Sequence, residues 1–340
     1  MKQKSTFPTL IFISILLIAA GLLYRFGEQW LHLLLLYLSG ATWAREIVSN
    51  LPVAQKLALR FVAGETVDDA IDAARALNNQ GLLATMDFLG ESVTSAADAV
   101  AARDEILRLL DRIHDTGVNA NVSVKLSQLG LKISPELTHE NMRQILERAR
   151  QHNNKIRIDM EESAVTDATL VIYRKLRDQD GFGHRVGIVI QAYLHRSEED
   201  IRQLVDEGAW VRLCKGAYAE PHDVAFAQKA DTDANFIKLT HMMLSPKARQ
   251  NGVYLGVATH DEAMIGAATS YVQAENYPAN AFEFQMLYGI RRELQESLVK
   301  KGYQVRVYIP FGTAWYPYFM RRLAERPANL WFFISNYLRA

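Results

Sequence analysis

A single cysteine, Cys214, stands in 340 residues. It excludes an intramolecular disulfide and any cysteine-based metal cluster. Set in an apolar run, it reads as a buried structural thiol. An excess of either charge is also missing, with 38 basic against 38 acidic residues. That balance argues against a polyanion-binding surface, because nucleic-acid binders carry a basic excess. No aromatic-rich RNA motif or zinc-finger spacing occurs. None of the nine histidines stands in H-x-H or H-E-x-x-H, the spacings that aim two ligands at one metal. No glycine-rich nucleotide loop follows an early strand pattern. The nearest approach, Gly181 to Gly187 (GFGHRVG), has the wrong spacing and precedes a strand instead of opening a helix. Internal repeats and low-complexity tracts are absent as well.

What is present begins with hydrophobicity. Lys2 and Lys4 precede Phe7 to Tyr24, a run without any charge, and a second largely apolar run, Trp30 to Leu38, follows Arg25 and Glu28. The first run is near the lower limit for spanning a hydrocarbon core and the second is too short to span alone. Three readings stay open: one spanning anchor, a helix lying in the interface, or a signal cleaved near Ala19-Ala20-Gly21. An apolar helix folded back on the domain is the bland alternative. Membrane attachment is the expectation; for a single span, the lysines would put the N-terminus in the cytoplasm and the main domain outside. The expected division is 1–45 hydrophobic segment, 46–80 N-terminal helices, with Thr66 capping Asp68 to Leu77, and 81–340 catalytic domain.

From Gly81 a rhythm sets in. Short strand patterns are expected at 81–87, 119–124, 156–159, 186–190, 209–213, 254–258, 281–286 and 304–309. Helical periodicity separates them, over stretches ending near Thr116 and then at 141–151, 167–179, 198–207, 233–244, 261–274 and 293–300. Pro310 and Gly312 are expected to break the last strand before a final helix from about Trp315. Strands alternating with helices pair in parallel, and eight such units are the number that closes an α/β barrel of the TIM type. An open doubly wound sheet competes, but it predicts the nucleotide loop that is missing.

Barrel enzymes build their sites at the C-terminal ends of the strands. Those ends read Asp87, Lys125, Asp159 with Glu161, Gln191, Arg212 with Lys215, Thr259 with His260, Glu283 with Gln285, and Tyr308. Strand ends are often polar only for solvation. Convergence of so many cations on one rim nevertheless suits an anionic ligand, and few carboxylates are paired in the glycosidase manner. Lys215-Gly216-Ala217 could cradle a diphosphate, since backbone N–H groups approach closely beside a glycine. On the last helix Tyr318, Arg321, Arg322 and Glu325 are spaced three and four apart and share a face. Arginine's planar fork matches a carboxylate's two oxygens; the bland reading is a solvated arginine pair with a helix-stabilising glutamate.

Seven runs carry a family resemblance: VKLSQLG around Lys125, RIDMEES (157–163), QAYL (191–194), RLCKGAY (212–218), ATHD (258–261), EFQMLYG (283–289) and YIPFGTAWYPYFMRRLAE (308–325). Together they look like the bacterial monofunctional proline dehydrogenase family, from about Pro52 to the C-terminus. The resemblance implies a (β/α)8 barrel with its eighth helix over the C-terminal mouth. It implies oxidation of L-proline to 1-pyrroline-5-carboxylate on non-covalent FAD, with electrons passed to a membrane quinone. Arg321 and Arg322 would then pair with the proline carboxylate, with Lys125 as a third cation. Leu287, Tyr308 and Tyr318 would wall the ring. Asp159 would sit near substrate and flavin, and Arg212 against the flavin's redox nitrogen. Met160, Gln191, Lys215, Gly216, Ala217, Tyr218, Thr259, His260 and Gln285 would bind the cofactor, with Glu325 in that set and also holding an arginine. Cys214 replaces the usual aliphatic residue before the lysine. Such enzymes work on the cytoplasmic face, against the orientation read from the lysines. A barrel metal hydrolase using His260 and the acidic strand ends, with Asp261, and a membrane-anchored amino-acid binding module without turnover remain as alternatives. For the dehydrogenase reading no metal is expected.

Overall fold

Each strand pattern is followed by a longer helical one, and this forces neighbouring strands to run parallel, because the chain must cross back over the sheet before starting the next. The computed structural model describes residues 58–90 and 93–325, with 37–39, 41 and 43 before them. The strands are β1 (Leu83–Phe88), β2 (Ala120–Val124), β3 (Ile156–Ile158), β4 (Val186–Gln191), β5 (Trp210–Cys214), β6 (Tyr254–Ala258), β7 (Phe282–Leu287) and β8 (Val305–Phe311). They pair in sequence order and close, β1 against β8, into a parallel barrel. The expected fold class is thereby met. The charge-free run 7–24 lies outside the described residues. Among the described residues no helix is long and apolar enough to cross a membrane.

Register separates the two faces of every strand. Thr85 pairs with Asn121 and Tyr308, Asp87 with Ser123, Ser123 with Arg157, Val189 with Arg212, Arg212 with Gly256, and Gln285 with Arg306. Paired residues point the same way, so one parity carries the polar side chains around the ring. The other parity is apolar: Ala84 and Met86, Val122 and Val124, Ile156 and Ile158, Val211 and Leu213, Val305 and Val307 are all buried. Each fully buried aliphatic side chain of this size contributes about 1.5–3 kcal/mol. Two positions of the polar parity are glycines for a steric reason. A Cβ on Gly187 would collide with the Trp210 ring, and one on Gly256 would lie 2.5 Å from the Gln285 amide nitrogen.

Several helices start where a side chain satisfies one of their first N–H groups. Thr66 caps Val67–Asn78 in a capping box with Asp69, and Ser95 does the same with Asp98 for Ala96–Thr116. Ser134 caps Pro135–Gln151, which opens six residues before the expected 141. A short helix, Pro246–Gln250, was not expected.

Pro310 does not end β8. It pairs with Asp87 of β1, and its carbonyl accepts from the Ala63 N–H at 2.9 Å. A proline lacks only a donor, and here the acceptor is what the neighbour uses. The break comes at Gly312, whose φ of +122° is one that side-chain-bearing residues avoid. The chain groups into two compact units, Phe61–Thr313 with the whole barrel and a second that includes the helix Trp315–Glu325. The expected position of that helix over the mouth stays an expectation.

Candidate active site

Asp87, Lys125, Asp159, Gln191, Arg212, Gln285, Leu287 and Tyr308 all belong to the polar parity, or follow it by one step past the strand end. A backbone that only alternates thus gathers them inside one ring. Arg212 is at its centre. Its Nη1 donates to Asp159 Oδ1 at 2.7 Å, its Nη2 to Ser123 Oγ at 3.0 Å, and its Nε to Gln285 Oε1. The guanidinium stands 5.2 Å from the Tyr308 ring centroid. Three partners on three strands leave it one orientation, so it is a fixed cation in a buried setting.

Lys125 sits beside this group. Its Nζ donates to both oxygens of Asp87 at 3.0 and 2.9 Å and lies 3.6 Å from Asp159 Oδ2. It also donates to the Tyr308 hydroxyl at 3.3 Å, and that hydroxyl donates to Asp159 Oδ2 at 2.8 Å. Two carboxylates and two cations therefore alternate in space. Burial pushes the Asp87 carboxyl up to about 6, with Lys125 opposing and Asp159 adding to the rise. Burial, then Asp159 and Asp87, hold the Tyr308 phenol well above its usual range, so it stays a hydrogen-bond donor.

At the rim after β5, Lys215 is committed to two carboxylates the sequence reading had not joined to it, Asp233 at 2.5 Å and Asp261 at 2.8 Å. The hydrogen bond from Lys215 is the first cause that carries Asp261 down to about 2. Gly216 has φ +118°, and a Cβ there would enter the Tyr193 ring, so packing alone demands the glycine. Tyr218 is half-buried and Ala217 exposed in the same loop. His260 Nε2 accepts the Leu287 N–H at 2.9 Å, which puts the proton of the neutral ring on Nδ1. Buried Thr259 accepts the Asp261 N–H at 3.0 Å. Gln191 Nε2 donates to the Glu161 carbonyl at 2.8 Å, and Met160 is buried. Cys214 is half-buried with Sγ 3.6 Å from the Ile190 carbonyl, and burial pushes its thiol up to about 12.

Glu283 is not at the rim. It is the second residue of β7 and accepts from Arg306 Nε at 2.8 Å and from Gln285 Nε2 at 2.5 Å. Ser123, which orients Arg212, was missed, although the alternation of β2 places it two residues before Lys125 on the same face. In the second unit, Tyr318, Arg321 and Arg322 stand on the helix Trp315–Glu325, with the Arg322 guanidinium 5.1 Å from the Tyr318 ring centroid. The Glu325 side chain lies outside the described residues. Among the described residues no three His, Cys, Asp or Glu side chains form a group that could hold a metal ion.

The profile of the family described as proline dehydrogenase matches residues 70–334. The chain belongs to this family. It is 43% identical over 282 residues to proline dehydrogenase 1 of Bacillus subtilis, covering 83% of this chain and 91% of that one. Proline dehydrogenase of Deinococcus radiodurans is 42% identical over 286 residues, 83% and 90% of the two chains. Among solved structures, proline utilization A from Bdellovibrio bacteriovorus, inactivated by N-propargylglycine, superposes with a TM-score of 0.75 at 26% identity. That match covers 79% of this chain but 32% of the longer protein. Family membership and the barrel agree with the seven motifs.

Proposed function

We propose that this protein oxidises L-proline to 1-pyrroline-5-carboxylate with FAD as the hydride acceptor and a membrane quinone as the next electron carrier. The observation that carries the reading is the fixed Arg212, tied to Asp159, Ser123 and Gln285 beside Lys125 and Tyr308, in a chain of this family. The reaction removes a hydride from the ring carbon next to nitrogen and a proton from the nitrogen, leaving a C=N bond. It needs the donor carbon held in place and little acid–base machinery. That accords with a set of clamps and walls without a nucleophile–base pair.

The donor set fits an anionic planar cofactor. Arg212 is a cation fixed by three side chains, and the rim around it offers the buried Thr259, the His260 Nδ1–H and the Gln191 amide. Arg212, Gln285, Gln191, Met160, Lys215, Gly216, Ala217, Tyr218, Thr259 and His260 would hold FAD, with Glu325 assigned by resemblance. When bound, FAD supplies the two-electron acceptor. Arg212 stabilises negative charge at its own position, a preorganised cation that need not reorient during reaction. Lys125 meets the substrate carboxylate, its charge already balanced by Asp87. By the family resemblance Arg321 and Arg322 would complete the grip, a role their planar forks suit, while Tyr308, Tyr318 and Leu287 would wall the ring.

The purified protein is expected to be yellow, and anaerobic L-proline should bleach its flavin absorbance. Bound flavin that proline leaves oxidised would sink the reading. Arg321→Met and Arg322→Met should each raise KM for proline by the equivalent of about 2–5 kcal/mol without loss of FAD. Wild-type affinity for a carboxylate analogue in either variant would remove the clamp assignment. Removing Met1 to about Arg25 should shift the protein toward the soluble fraction, keep turnover with a soluble dye and reduce turnover with membrane quinone. Loss of dye-linked turnover with FAD still bound would end the anchor reading.

A further inference from the structure

At the opposite end of the barrel, where the strands begin, lies a cavity of about 530 Å³. Its wall includes Asn121, Lys155, Trp210, Tyr254 and Arg306, first residues of their strands or their immediate neighbours. Three cations crowd this end. Arg157, fully buried, stacks on Trp210 at 3.7 Å, and Lys155 Nζ lies 5.3 Å from the same ring. Arg306 is the third. Glu283 is the carboxylate that faces them, and it already accepts from Arg306 and from Gln285. Arg157 donates through Nη1 to two backbone carbonyls, of Ile188 at 3.0 Å and Trp210 at 2.9 Å, and among the described residues makes no direct ion pair with a carboxylate.

The hydrogen-bond account is equally unfinished. Asn121 lines the cavity and is 7% exposed, yet among the described residues its Oδ1 has no hydrogen-bond partner. Arg157 Nε and Nη2 are buried and unpartnered too. Buried polar groups are ordinarily paired, and each one left unpaired costs about 1–3 kcal/mol. An amide's oxygen and nitrogen are interchangeable by rotation, so Asn121 can present either end to a ligand. Desolvation of its ammonium, then Arg157 and Arg306, pull Lys155 below its usual range, although the residue as a whole is solvent-exposed. A ligand that met the excess positive charge and the Asn121 amide in the cavity would bring negative charge and oxygen acceptors.

We propose that the N-terminal mouth of the barrel is a binding site for a small oxyanion carrying two negative charges, of the phosphate or dicarboxylate class, held by Lys155, Arg306 and the Asn121 amide. It is separate from the strand-end site and independent of the function assigned there. Lys155 in the wall and Arg157 behind Trp210 are the positive charges left once Glu283 has met Arg306, and with room for several heavy atoms they set the ligand's charge and size.

The test uses the full-length FAD-loaded protein and titrates inorganic phosphate, and in a second arm succinate, at constant ionic strength made up with chloride, followed by calorimetry. Saturable binding at one site is expected. Lys155→Met, at an exposed position that leaves the core intact, should weaken it about tenfold or more, and Lys155→Arg should restore it. A lysine-dependent response to phosphate alone, or to succinate alone, names the source. Absence of saturable binding of either anion, or equal affinity in wild type and Lys155→Met, overturns the proposal.

Discussion

Two arginines one strand apart in the same barrel interior are held by opposite means. Arg212 is neutralised by Asp159 and oriented by Ser123 and Gln285. Arg157, nearer the strands' beginnings, has two carbonyls and an indole face and, among the described residues, no carboxylate in direct ion-pair contact. Burial alone would penalise both. A buried cation with a carboxylate and a complete set of acceptors can be kept in one geometry at tolerable cost, whereas one with dipoles alone keeps most of its desolvation penalty. The first arrangement is what a reaction needs from a fixed charge. The second leaves an electrostatic demand at the far mouth.

Removing Arg212 is the most severe way to probe this difference. Arg212→Met leaves Asp159 without its bidentate-capable partner, a loss of about 3–5 kcal/mol for a broken buried pair. If the fixed charge also serves turnover, kcat should fall about 10²–10³-fold, the usual penalty for deleting one preorganised donor. Steady-state rates with a dye acceptor, read beside flavin occupancy, separate the two effects. A variant that retains FAD and wild-type kcat would mean that Arg212 is only structural.

A smaller effect concerns Asp87. Its folded-state value of about 6 lies above the ordinary 3.8, because burial outweighs Lys125. A carboxyl raised on folding prefers its proton in the native state. Its contribution is therefore full below about 4, declines as pH rises through the window from about 4 to about 6, and is flat above it. Urea unfolding at several pH values should show wild type losing stability relative to Asp87→Asn across that window, by up to about 2–3 kcal/mol. A pH-independent difference would show that Lys125 offsets burial fully.

The barrel was legible because its strands alternate cleanly and several of its helices carry caps. Val305, Val307 and Ile309 mark an apolar parity that needs no tertiary knowledge. Pro310 misled because its missing donor was given more weight than its carbonyl, which Ala63 uses. The start at Pro135 was written in Ser134-Pro135 and went unread. The candidate site was half legible. Lys125, Asp159, Arg212 and Tyr308 stand at or near strand ends, but their mutual contacts depend on register. The pairing of Lys215 with Asp233 and Asp261 joins loops far apart in sequence, which no local pattern reveals. Glu283 was grouped with Gln285 at the rim although it stands near the start of β7; it is a partner of Arg306 one layer below. Arg157 stands between two isoleucines in the expected strand, and its contacts with Trp210 and the Ile188 carbonyl depend on register.

The smallest effect is expected at Arg157, and it sharpens the comparison most. Arg157→Met keeps an unbranched side chain over Trp210. It gives up a cation–π contact of about 0.5–2 kcal/mol and two hydrogen bonds to carbonyls of about 1 kcal/mol each. It also removes an ion whose burial costs several kcal/mol and which no carboxylate repays. The opposing effects nearly cancel, so urea unfolding in chloride should place the variant within about 1 kcal/mol of wild type, far from the loss expected at Arg212. In phosphate the two should separate, because an anion at the neighbouring mouth would stabilise a wild type that still carries three cations. A loss in chloride as large as that of Arg212→Met would mean that Arg157 is effectively neutralised from Glu283. The contrast between the two arginines would then be one of distance and not of kind.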